Sequence, residues 1–274
     1  MSGEQTKQAS APEKQKSVFI KRKRTFTIAF LGVLIIFLIS THVTGFSVIG
    51  GFRAIPQAFT WIVKNFVPDD KAWSRFPLIL EYLTETVLVS VAVTVCAAIC
   101  AFFFSLMGTK TTKANPWVAR SVRIVAAFFR NVPDVVWALL LLFTFGQNIL
   151  TGFFALFFYT FGLLTRTFIE TIDEVSSACV EALRATGATN LQIVTQGIVP
   201  STMSIIISWV LYMIETNIRA STLIGMLTAT GIGFLFDTYY KRMEYGSASL
   251  TVMAIVVAVI TIELTSNKIR KVII

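Results

Sequence analysis

The chain has 274 residues, of which 55% are hydrophobic and only 14% charged. A water-facing domain carries roughly 25% charged residues, so a soluble enzyme, a disordered chain and a disulfide scaffold are all excluded as the main reading. Net charge is +9, with three cysteines and one histidine, and neither a zinc spacing nor a disulfide framework is present.

A bilayer core of about 30 Å needs about 20 apolar residues in a helix. Residues 1–24 are polar and end in Lys21-Arg22-Lys23-Arg24, which predicts a disordered basic tail on the cytoplasmic side. Thr25–Thr41 carries no charge and reads as span 1. Residues 53–85 mix charge with Phe59, Trp61, Phe66 and Trp73, which suits an external segment with a helix lying in the interface. Residues 1–24, 25–80 and 81–274 are thus the three parts of the chain: tail, first span with external segment, and core.

Thr86–Met107 is span 2. The uncharged run from Val135 to Thr165 is too long for one ordinary span, and Gly146-Gln147-Asn148 is a turn signal inside it. A hairpin follows, with span 3 from Val122 to Phe145 and span 4 from Ile149 to Thr165. Residues 166–197 form a cytoplasmic loop. Ile198–Ile214 is span 5 and Gly246–Ile262 is span 6. Between them, Ser221–Phe236 is short and rich in glycine (Gly225, Gly231, Gly233), which predicts a re-entrant segment. With the N-terminus inside, sixteen of the 24 basic residues flank the inner side and seven the outer, which supports six spans with both termini cytoplasmic. Basic charge spread over membrane flanks argues against nucleic acid as a partner; membrane lipid is the expected surroundings.

No nucleotide-cradling loop, nucleophile elbow or metalloprotease motif occurs, so catalytic and metal residues are expected to be none. Two ion-pair candidates lie at four-residue spacing, Arg130/Asp134 and Glu215/Arg219. Charges in spans are costly and are functional candidates by default. Pro133 suggests a local break, so Arg130/Asp134 reads as a packing pair. Glu215/Arg219 has two open readings, a headgroup-level anchor or part of a solute pathway. Counted from Ile198, Glu215 lies roughly 25 Å across the core.

The cytoplasmic loop holds the strongest local signal: Glu181-Ala182-Leu183-Arg184-Ala185-Thr186-Gly187, then Ile198-Val199-Pro200. It reads as a short helix with a small apolar face (Val180, Ala182, Leu183), a stop at Gly187, a second short helix, and a proline opening span 5. Glu-Ala followed by Gly187 and, 13 residues later, Pro200 resembles the E-A-A loop of ABC-importer permeases. Leu183 stands where that loop has Ala, Gly197 where Ile is usual, and Val199 where Leu is usual. Arg130-Asn131-Val132-Pro133-Asp134-Val135-Val136-Trp137-Ala138 is similar to the R-x-x-P-[DE]-x-x-W-A segment of phosphonate and phosphite permeases. Glu215-Thr216-Asn217-Ile218-Arg219-Ala220-Ser221-Thr222 resembles their E-x-N-V-R-A-S-T, followed by Ala229-Thr230-Gly231-Ile232-Gly233 in place of their G-A-G-G-I-G.

The resemblance covers most of residues 80–274. It implies an all-α, polytopic helical bundle of the type I ABC-importer permease fold, methionine-permease-like, in the cell membrane. It further implies a permease subunit for phosphonates, phosphite or related oxyanions, itself no enzyme and without a cofactor. The implied partners are a second copy of the chain, two cytoplasmic ATPase subunits holding ATP and Mg, and an external substrate-binding protein. Glu181, Ala182, Leu183, Arg184 and Gly187 would couple to the ATPase. Glu215, Asn217, Arg219, Gly231 and Gly233 would line the pathway. A permease for another small solute such as an amino acid, and a self-contained channel or secondary transporter, are the alternatives.

Overall fold

The computed structural model describes residues 11–110, 115–175 and 177–273. The chain divides into two compact units, Met1–Val63 and Lys64–Ile274. The first holds α1 (Ala11–Thr44) and most of α2 (Val48–Asn65). Residues 11–24, expected as a disordered tail, continue the first span as helix. Glu13, Lys14, Gln15 and Lys16 are good helix formers, and Pro12 stands in the first turn, where its missing N–H costs nothing. Residues 1–10 of that tail lie outside the described residues. In α2, Ile49, Phe52, Ile55, Phe59 and Ile62 recur at helical spacing and are all exposed, while Arg53, Gln57, Thr60 and Lys64 take the other side.

The second unit holds α3 (Asp70–Ser74), α4 (Phe76–Gly108), α5 (Pro116–Asn131), α6 (Asp134–Phe145), α7 (Ile149–Val175), α8 (Ser177–Ala185), α9 (Asn190–Gln192), a π-helical turn (Ile193–Ile198), α10 (Val199–Thr228), α11 (Gly231–Lys241) and α12 (Tyr245–Ile273). Five helices are long and apolar enough to cross a membrane, and the bent pair α5–α6 makes a sixth. No strand occurs among the described residues.

Helix α7 is the centre of the bundle and packs against α4, α5, α6 and α10. Its midpoint, Gly162, is the reason α5 comes so close. A Cβ there would stand 2.6 Å from the Arg130 backbone N and 2.8 Å from the Ala126 carbonyl. The hairpin between α6 and α7 turns at Gly146 (φ +72). Asn148 holds it, accepting from Thr151 N at 3.0 Å and donating to the Phe145 carbonyl at 2.6 Å.

Three further segments differ from what the sequence predicts. Helix α4 starts at Phe76, so residues 76–85 are its first turns and not external chain. Ile79 is fully buried there, beside Tyr82 and Leu83, against α11 and α12. Span 3 is two helices at 88°, broken at Val132-Pro133. Pro133 has no N–H to continue α5 and instead stands ahead of α6 as its cap. Finally, α10 does not stop at Ile214 but runs on to Thr228, and the chain breaks at Ala229 (φ 56, ψ 42). The segment 221–236 is thus the end of α10, a two-residue break and the start of α11. Its glycines serve contacts within the chain: a side chain on Gly225 would strike the Thr230 carbonyl, and one on Gly233 the Thr222 carbonyl. Gly231 (φ +59) lies against the Thr86 hydroxyl, which accepts from Ile232 N at 2.8 Å.

Candidate functional sites: the loop before α10 and the polar residues of the spans

In the loop, α8 ends as its sequence signals. Gly187 takes φ +82, and its N–H donates to the Arg184 carbonyl at 3.0 Å while Ala188 N donates to Leu183 O at 3.1 Å. The chain restarts through a capping box, Thr189 with Gln192. The π-turn then leads into Pro200, whose missing N–H breaks the regular ladder; Val199 N donates five residues back, to Val194 O.

The apolar side of α8 is not free. Val180 is buried and Leu183 is partly buried in a cluster with Ile172, Ile193, Ile198 and Leu106. A Cβ on Gly197 would lie 2.8 Å from Leu183 Cδ1, so the small residue at 197 makes room for the large one at 183. What α8 exposes is Ala178, Cys179, Glu181, Ala182 and Ala185, with Arg184 half-buried beside them. Beyond Gly187, Leu191 stands 74% exposed, an apolar knob the sequence reading did not single out. The α8 cluster is joined to the bundle by Asp173 on α7. It accepts from the Thr109 hydroxyl, from Lys110 N at 2.8 Å and from Arg123 at 3.1 Å. Arg123 Nε also donates to the Gly108 carbonyl at 2.9 Å. The end of α4, the first half of α5 and the end of α7 are thereby held as one piece.

Within the bundle, Glu215 and Arg219 are paired at 3.0 Å on α10, with the glutamate side chain nearly buried and the arginine half-exposed. Asn217 faces the other way. It is fully enclosed, donates to Thr94 on α4 at 2.8 Å, and exchanges hydrogen bonds with Thr160 on α7. Ser90 and Ser221 meet one turn further along, at 2.9 Å. These bonds staple three helices; they leave Asn217 no open space. Gly231 and Gly233 are likewise buried, at the α10–α11 break. A small cavity borders this region, lined by Glu85, Thr86, Gly152, Ser221 and Gly231 among others.

Arg130 and Asp134 do not form the expected pair on one face. The break puts them on different helices, and Asp134 accepts from its neighbour Val135 N at 2.9 Å. Arg130 Nε is buried with no hydrogen-bond partner among the described residues. The break itself is seated in an aromatic cluster of Phe129, Trp137 and Phe158, with centroids 5.0–5.5 Å apart.

Outside the spans, Glu244, in the turn before α12, is the hub of a clamp to α3 and to the α3–α4 junction. Lys71 Nζ reaches it at 3.0 Å, and Arg75 binds it through both terminal nitrogens while lying 4.9 Å from the centre of the Tyr239 ring. The Arg75 hydrogen bond, then that of Lys71, lowers the Glu244 pKa to about 2. Among the described residues no group of three or more His, Cys, Asp or Glu side chains could hold a metal ion.

A bundle of crossing helices, with a short helix and glycine stop on the loop before α10, is the architecture of an ABC-importer permease. Residues 97–273 match the family described as "Binding-protein-dependent transport system inner membrane component", and the chain belongs to that family. It is 29% identical to the phosphite transport system permease protein PtxC of Stutzerimonas stutzeri, over 80% of this chain and 78% of that protein. It is 30% identical to the phosphate-import permease protein PhnE of Mycolicibacterium smegmatis, over 69% of this chain and 35% of that longer protein. Among solved structures, a chain of the inward-facing MetNI methionine ABC transporter superposes with a TM-score of 0.58 at 20% identity, over 71% of this chain and 97% of that one. That likeness is one of fold.

Proposed function

We propose that this chain is the permease subunit of an ATP-driven importer for phosphonates, phosphite or related phosphorus oxyanions. The observation that carries the proposal is the joint match: a transport-permease family over residues 97–273, with relatives named for phosphite and phosphate transport. The chain supplies the path, and ATP with Mg is held by the partner ATPase. In this reading the chain is no enzyme and pairs with a second copy. Two cytoplasmic ATPases dock on the two loops, and a binding protein delivers solute from outside. Both termini are cytoplasmic.

The exposed face Glu181–Ala182–Ala185, with Arg184 and the stop at Gly187, is the docking element. Small residues let a partner approach closely, and the buried side of α8 fixes its angle. Closing of the ATPases moves α8, and the cluster beneath it carries that motion into α7 and α10. Glu215 and Arg219 line the pathway; Asn217, Gly231 and Gly233 shape the helices that form it.

The test is reconstitution with the neighbouring ATPase and binding protein. ATP hydrolysis stimulated by a phosphonate or phosphite supports the reading. Stimulation by an amino acid alone would replace the substrate class. Gly187→Pro and Glu181→Arg should each weaken ATPase capture while leaving the permease in the membrane; unchanged capture and uptake in both would remove the loop from the docking role.

A further inference from the structure

The end of α4 and the first half of α5 border a slot of about 470 Å³ that neither the loop nor the polar residues of the spans use. On α5, Pro116, Arg120, Arg123 and Ala127 follow at four-, three- and four-residue spacing, so one face of the helix makes one wall. Lys110, just past the end of α4, stands at the other. Val122 and Ala126 of α5 are buried in the bundle, whereas Ile124, at the edge of the slot, is 62% exposed. The slot therefore lies on the outside of the bundle.

Its chemistry is two-sided. Pro116, Ala119 and Ala127 make it apolar along its length, and Lys110, Arg120 and Arg123 make it basic. No acidic side chain lines it among the described residues. Asp173 reaches this group from α7, binding Arg123 at 3.1 Å and the Lys110 backbone N at 2.8 Å. One of the three positive charges is thereby matched. Lys110 and Arg120 are exposed, and neither side chain has an ion pair or a hydrogen bond among the described residues. Arg123 is pinned through Nε and one terminal nitrogen, which leaves its other terminal nitrogen unbonded among the described residues.

The slot also sits at the boundary between lipid and water. Helix α4 is long and apolar enough to span, and it ends at Gly108, two residues before Lys110. The bent span α5–α6 begins at Pro116, on the wall of the slot. Trp117 beside it is 73% exposed, and an exposed indole at the end of a span is an interface anchor. Basic pockets between helices at this level complement a headgroup phosphate. A free phosphate would match the cations and leave the apolar wall in water. A zwitterionic lipid would cover the wall and bring a positive charge of its own to the rim.

We infer that the slot holds an anionic phospholipid, its phosphate on Lys110 and Arg120 with the remaining donors of Arg123, and an acyl chain along Pro116, Ala119 and Ala127. The inference is independent of the solute proposed for the chain. Lipid bound there joins the end of α4 to α5 at the point where Asp173 ties both to α7, so it braces the same joint on which the packing beneath α8 rests.

The experiment is native mass spectrometry of the full-length permease in detergent, titrated with phosphatidylglycerol or phosphatidylcholine. The wild type should bind phosphatidylglycerol the more tightly. The double variant Lys110→Gln with Arg120→Gln, which removes two cations from the headgroup, should bind it roughly 30-fold more weakly. Both side chains are exposed and unbonded, so the lipid-free unfolding temperature should match the wild type. Added phosphatidylglycerol should raise that temperature in the wild type and not in the double variant. Ala119→Phe keeps every cation and narrows the slot; it should weaken phosphatidylglycerol about tenfold, as for about two methylene groups kept out of an apolar site. Equal binding of phosphatidylglycerol by the wild type and the double variant, or equal binding of the two lipids by the wild type, would overturn the inference. Displacement of the lipid by millimolar inorganic phosphate, with wild-type affinity in Ala119→Phe, would replace it with a free-anion site. Lipid carried by single chains and absent from oligomers would show that a second copy covers the slot, and would overturn it as well.

Discussion

The contact between Leu183 and Gly197 makes a quantitative prediction about the loop proposed to dock the ATPase. The loop it resembles carries Ala and Ile at these positions; this chain carries Leu and Gly. The two sites touch, and a Cβ at 197 would sit 2.8 Å from Leu183 Cδ1. Carbon atoms pack at about 3.5–4.0 Å, so Gly197→Ala displaces the leucine tip by nearly 1 Å, which a flexible side chain can absorb. Gly197→Ile adds three more carbons in a buried position, an overpacking that costs about 1–3 kcal/mol. Leu183→Ala removes a partly buried side chain; about half of the 2–5 kcal/mol of a fully buried leucine, so about 1–2 kcal/mol, is expected. If the two residues trade volume, the double variant Leu183→Ala with Gly197→Ile costs less than the two singles together, with a coupling of about 2 kcal/mol. Thermal unfolding of the detergent-solubilised permease, read for wild type, both singles and the double, closes the cycle. Capture of the ATPase should follow the same order, because the tilt of α8 depends on this contact. Costs that add to within about 0.5 kcal/mol would show that the two side chains are independent and refute the reasoning.

Three further outcomes are expected. Ala229 is held in the left-handed region, so Ala229→Gly should relieve roughly 1–2 kcal/mol of backbone strain, give back up to about 1 as unfolded-chain entropy, and raise thermal stability slightly; a loss would mean the Ala229 methyl is needed for packing. Asn217→Ala leaves buried Thr94 and Thr160 hydroxyls without their shared partner and should destabilise the bundle by about 2 kcal/mol in the same assay, whereas an unchanged melting temperature would remove Asn217 from the staple. Glu244 has a folded pKa depressed to about 2, so its contribution is full above its ordinary value of 4.5 and lost as pH falls from there toward 2; Glu244→Gln should flatten the melting curve across that window, and a wild-type acid profile in the variant would show that the clamp does not couple to folding.

Much of this architecture is legible in the sequence because lipid imposes a plain rule: a charge-free run of sufficient length becomes a helix. The six spans, the turn at Gly146 and the stop at Gly187 all follow from local chemistry. What the sequence hides is the part decided by distant neighbours. Asn217 looks like a pathway residue because it is polar and lies in a span. Its partners, Thr94 and Thr160, are 123 and 57 residues away, and only the fold shows that they consume its amide. Gly225 and Gly233 look like a loosened backbone, yet each is small because the other helix presses its carbonyls there. Pro133 signals a break, but not its size, and the size changes the meaning of Arg130.

Packing also ties α8 to the break between α5 and α6. Force on α8 passes to Ile172 on α7 and to Ile193 and Ile198 in the π-turn, since all pack in one cluster. Asp173, in the turn that holds Ile172, grips Arg123 on α5. A tilt of α8 therefore moves the first half of α5, the end of α7 and the start of α10 together. Farther up, Gly162 lets α7 bear directly on the backbone of Arg130. The two attachments of α5 to α7, at Arg123 and at Arg130, are seven residues apart, about 10 Å along the helix. With both ends held, α5 cannot slide freely along α7, and motion is taken up where the chain has no continuous ladder of hydrogen bonds, at Val132-Pro133. That break adjoins Arg130, whose Nε is buried without a hydrogen-bond partner among the described residues. The break beside that guanidinium is thus joined through α7 to the packing beneath α8, which is the physical link that the proposed docking of an ATPase on α8 requires.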